Sequence, residues 1–86
     1  MATIKEVVLE LCADDLMNGA GSVHGRIVRV AESGVYQCCS DRHVSRVPFP
    51  DQSFGSLDEA REALIDYWLV CDRKTTEGPY YWSSVT

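Results

Sequence analysis

The stretch from Ser56 to Asp72 constrains the fold of this chain more than any other. Leu57, Ala60, Leu64, Tyr67, Trp68 and Cys71 recur at three- and four-residue intervals, which is one stripe of a helix. Ser56 followed by Glu59 is a capping box, and Asp58 and Glu59 in the first turn suit the positive end of the helix dipole. The pattern predicts a helix that starts after Ser56 and ends near Asp72. A stripe this broad must be buried, and 86 residues supply only one core to bury it in. One globular domain over residues 1–86 is therefore expected.

The first segment also carries helical spacing. Ile4, Val7, Val8, Leu11 and Cys12 share a helical face, and Thr3 with Glu6 reads as a second capping box. Asn18-Gly19-Ala20-Gly21 is a strong stop signal. Between the two helices the chain turns β-prone. Residues 25–31 and 35–39 read as a hairpin around Glu32-Ser33-Gly34. Residues 43–47 read as a third strand of uncertain register. Pro48-Phe49-Pro50-Asp51-Gln52-Ser53 is a loop, because proline cannot donate to a ladder. Residues 73–79 read as a polar linker, and 80–85 as a short final strand. The expected fold is α+β. Its order is α-β-β-β-α-β, an antiparallel sheet of three to four strands packed by two helices.

Composition bears on compartment. The longest apolar run, Tyr67-Trp68-Leu69-Val70-Cys71, is too short to span a bilayer. Glu6 and Glu10 interrupt the apolar core that a secretory signal needs. A cytoplasmic protein with no membrane partner is expected. There, reducing conditions keep Cys12, Cys38, Cys39 and Cys71 as thiols. Cys12 and Cys71 fall on the apolar faces of the two predicted helices. That leaves one of the adjacent Cys38 and Cys39 as the exposed thiol.

Chemical motifs are sparse. Cys38, Cys39, His43 and His24 lack the paired spacing of a zinc site, so no metal or cofactor is expected. A Cys38 or Cys39 pair with His43 would be the only route to a small cysteine-dependent enzyme. Solvation or turn formation accounts for the other candidates, and the chain is read as non-catalytic. The first alternative to a binding role, ahead of the enzyme, is a nucleic-acid-binding module using Arg26, Arg29, Arg42 and Arg46 of the sheet, with Tyr36 for stacking. The αβββα part of the expected order resembles double-stranded-RNA-binding domains. Those grip phosphate with basic residues where this helix has Asp58 and Glu59.

Charge distribution is more informative. The net charge is −5. Residues 21–50 carry Arg26, Arg29, Arg42 and Arg46 against Glu32 and Asp41, while both flanks are acidic. Asp58, Glu62 and Asp66 recur at every fourth residue with Glu59 beside them, forming an acidic ridge on the exposed side of the predicted helix. Such a ridge suits a basic partner. Tyr81, in the aromatic run Tyr80-Tyr81-Trp82, is a further candidate contact.

In size, acidity and the Asp58/Glu59/Glu62/Asp66 ridge, the chain resembles small phage-encoded inhibitor proteins of the anti-CRISPR type. The resemblance implies a stoichiometric inhibitor that works by protein–protein contact. Its partner would be a protein with a basic surface, such as the nucleic-acid-binding surface of a defence effector complex. A homodimer through a strand edge or Tyr81 is the other association considered.

Overall fold

The computed structural model describes residues 2–16, 21–44, 46–77 and 82–84. The chain runs β1 (Lys5–Leu16), β2 (Gly21–Val30), β3 (Tyr36–Ser40), β4 (Arg42–Val44), α1 (Leu57–Glu77) and β5 (Trp82–Ser84). Strands β1, β2 and β3 form one antiparallel sheet in that order, and β4 pairs with β5 in a separate two-stranded sheet. The α+β class stands. The described residues hold one α-helix, where two were expected. That helix is not long and apolar enough to cross a membrane.

The first predicted helix is a strand. Leu9, Leu11 and Ala13 pack against the core while Glu10, Cys12 and Asp14 are exposed, which is the period of two that a sheet imposes. Opposite them, Ile27, Gly25 and Val23 of β2 are the Cα partners. The register shifts between Val7 and Leu9, so Val8 is an extra residue at a bulge. That inserted residue breaks the alternation and lets Ile4, Val7, Val8, Leu11 and Cys12 mimic a helical stripe. Thr3 caps nothing, and Glu6 instead lies 3.8 Å from Arg29 across the strand pair.

The predicted hairpin is present as β2 and β3. The Gly34 amide donates to the Val30 carbonyl at 2.8 Å, and Gly34 takes φ 73°, a left-handed conformation that glycine adopts without steric cost. Adjacent cysteines diverge as a pleat requires. Cys38 points into the core, and Cys39 pairs with Arg26 on the outer face.

The third predicted strand does not extend the meander. It stops at Val44 and pairs with β5, Val44 opposite Trp82. Asp41 makes the corner: its amide donates to the His24 carbonyl at 2.9 Å, and its carboxylate accepts from the His24 amide at 3.0 Å. Arg46, at φ 80°, then turns the chain out of extended geometry.

Helix α1 begins as the sequence indicates. The Glu59 amide donates to Ser56 Oγ at 3.2 Å. Ala60, Leu64, Tyr67, Trp68 and Cys71 are buried, with Leu57 packed at the margin. They close on Val23, Ile27, Cys38 and Val44. The helix passes the expected end at Asp72 and reaches Glu77. Thr75 is fully buried, and its hydroxyl donates to the Cys71 carbonyl at 2.9 Å. Thr76 donates to the Asp72 carbonyl at 2.8 Å. Residues 73–77 therefore continue the helix and are no linker, with both hydroxyls satisfied by the preceding turn.

Candidate protein-binding face

Helix α1 presents its acidic side to solvent. Asp58, Glu59, Glu62 and Asp66 are all exposed. At ~1.5 Å of rise per residue, Asp58 to Asp66 is a ridge about 12 Å long. No ion pair among the described residues involves any of the four. Arg61 is exposed on the same helix but does not bridge to them.

Beside the ridge lies a groove of about 390 Å³ between α1 and the Val47–Gln52 loop. Phe49 and Pro50 form one wall, Ala63 and Val70 the other, and Asp66 stands on the rim. The groove is structurally supported. The Phe49 ring stacks on His43 at 4.3 Å and meets Tyr67 edge-on at 5.0 Å. The Tyr67 hydroxyl accepts the Val44 amide at 3.1 Å, which ties the groove floor to β4. Burial pushes the Tyr67 phenol well above its ordinary range and holds His43 below its own. Leu69, on the next turn after Asp66, is 62% exposed and adds apolar surface close by.

Sequence reasoning found the ridge but not the groove. The sequence places Phe49 in a loop, and the pairing of that loop with Ala63 and Val70 is tertiary. The signal was an apolar residue between two prolines, where a solvated loop would be polar. Tyr81 lies outside the described residues.

The residues of the nucleic-acid alternative do not share one face. Arg26 is exposed on the outer face of the sheet, whereas Arg29 lies opposite Tyr36 on the face that packs against the helix. Arg42 is half-buried in the small sheet, and Arg46 follows its end. Tyr36 is half-buried, packs on the core and pairs its backbone with Phe54.

The thiols also sit differently from expectation. All four are free. Cys12 is exposed, because it lies on the outer face of a strand and not on a buried helical stripe. Local desolvation and the Asp14 carboxylate, 3.5 Å away, raise its pKa. Burial pushes Cys38 up to about 11 and also raises Cys71. A raised pKa lowers the thiolate fraction of each of these three near neutral pH. His43, the base of the enzyme alternative, packs its ring against Phe49 and Tyr67. No group of three or more His, Cys, Asp or Glu among the described residues is arranged to hold a metal ion.

A second, more polar groove of about 420 Å³ lies along β2, between Glu10 of β1 and Cys39 of β3, with Arg26 and Asp41 in its lining. Its charges are mixed in sign, so it has no single electrostatic preference. Compared with protein-family models, curated proteins and solved structures, the chain shows no significant match.

Proposed function

We propose that this chain is a non-catalytic binding module that seats the acidic side of α1 on a basic protein surface. One observation carries the reading. Four carboxylates stand exposed on consecutive turns, with no cationic partner among the described residues. Like charges at this spacing cost a few tenths of a kcal/mol each in an isolated helix. A partner rich in lysine and arginine relieves that repulsion, and the complementary fields speed and orient encounter.

Surfaces of that kind are what nucleic-acid-binding proteins present to phosphate. A chain bound there would exclude nucleic acid and act as a stoichiometric inhibitor, as the anti-CRISPR resemblance implies. The test is capture of partners from the native cell by wild type and by an E62K/D66K variant. Wild type should retain a basic protein at low salt and lose it as salt rises. The variant should fold and fail to retain it. A variant that captures the same protein equally well would end this reading.

A further inference from the structure

We propose that the groove between the Val47–Gln52 loop and α1 receives an apolar side chain from the same basic partner. The recognised segment is then amphipathic, with lysine or arginine on one side and a leucine-sized anchor on the other. This inference rests on the reading above, because Asp66 belongs to both the ridge and the groove rim.

The groove has the makings of a receptor for such an anchor. Its volume of about 390 Å³ falls within the range of clefts that hold ligands. Phe49, Ala63 and Val70 supply apolar walls. Phe49 is already fixed between His43 and Tyr67, so little ordering is left to be done on binding.

Charge selects the occupant. Asp66 borders the groove, Glu62 precedes it by one turn, and Asp51 is exposed on the opposing loop. A second copy of this chain, at net −5, would bring acid against acid. Phosphate would be repelled for the same reason. A cationic segment with one apolar face satisfies both the walls and the rim, in the manner of an amphipathic helix laid in a groove.

The experiment titrates the isotope-labelled chain with three synthetic helical peptides of equal length, followed by amide chemical shifts. The first carries lysines with leucine on one face. The second replaces leucine by serine, and the third keeps leucine but replaces lysine by glutamine. The first should bind about tenfold or more tighter than the second, the worth of one buried leucine-sized side chain, and also tighter than the third, which lacks the charge complementarity. Amides of Phe49, Ala63 and Val70 should shift only with the leucine peptides. A63L, which fills the groove, should erase the difference between the first two. V70T serves where A63L fails to fold.

Equal affinity for the leucine and serine peptides overturns the groove while leaving the ridge standing. Equal affinity for the lysine and glutamine peptides overturns the ridge and with it the amphipathic segment, leaving a purely apolar groove. Binding of none overturns both.

Discussion

A Cβ placed on Gly25 would stand 2.6 Å from Cζ2 of Trp68. The central strand and the helix meet there with no room for a methyl group, and the Cys39 carbonyl oxygen at 2.8 Å closes the other side. Trp68 cannot simply swing away, because its Nε1 donates to Ser40 Oγ at 3.1 Å. G25A should therefore destabilise by ~1–3 kcal/mol, the usual cost of overpacking. In a thermodynamic cycle with W68L the penalty should shrink, since the ring is the nearest of three obstacles, with the Cys39 carbonyl and the Leu64 side chain at 3.0 Å. Additive losses in urea melts would show that the contact does not govern the helix–sheet distance.

The start of α1 depends on Ser56 Oγ accepting the Glu59 amide. S56A should cost ~1 kcal/mol, and S56D should keep most of it, since aspartate caps as well as serine. Equal denaturation midpoints for wild type and S56A would count against the cap.

Burial against Phe49 and Tyr67 holds His43 below its ordinary pKa of 6.5. The unfolded chain then takes up a proton more readily than the folded one. The neutral-histidine contribution is complete above about pH 6.5 and is lost as pH falls towards the folded pKa. H43F keeps an aromatic ring against Phe49 and removes the titration. Its melting temperature should fall less than that of wild type between neutral pH and about pH 5.5. Parallel profiles for the two proteins would contradict this account.

Three of the four thiols should separate under alkylation of the native protein. Cys12 is exposed, and its labelling should quicken as pH rises, because its pKa is raised. Cys38 is buried and donates to the Ala60 carbonyl at 3.1 Å, while Cys71 is wholly buried. Both should label only after denaturation. Rapid native labelling of Cys38, read by peptide mass spectrometry, would mean that α1 lifts off the sheet.

What could be read from the sequence was what neighbouring residues decide. Ser56 and Glu59 lie three positions apart, and together with the apolar stripe that follows them they mark the helix start. Gly34 made the hairpin legible for the same reason. The first strand was hidden because one inserted residue, Val8, disguises a period of two as a helical one. The departure of β4 from the sheet depends on Trp82, far along the chain, and on the backbone at Arg46. No local rule carries that information. Of the candidate site, the ridge follows from spacing alone. The groove depends on where Phe49 lands, so it emerges only after folding.

The pairing of Val44 with Trp82 also sets an order of events. The large sheet needs only residues up to Ser40, and its hairpins close through short connections. The small sheet must wait until the whole of α1 has been synthesised and has left the ribosome. The loop that walls the groove is spliced between β4 and α1, so one of its anchors is secured early and the other late. A nascent chain would thus acquire its acidic helix before the strand that steadies β4 is in place. A truncated translation product ending before Trp82 would carry the charge of the full chain's ridge without the small sheet that braces the groove floor.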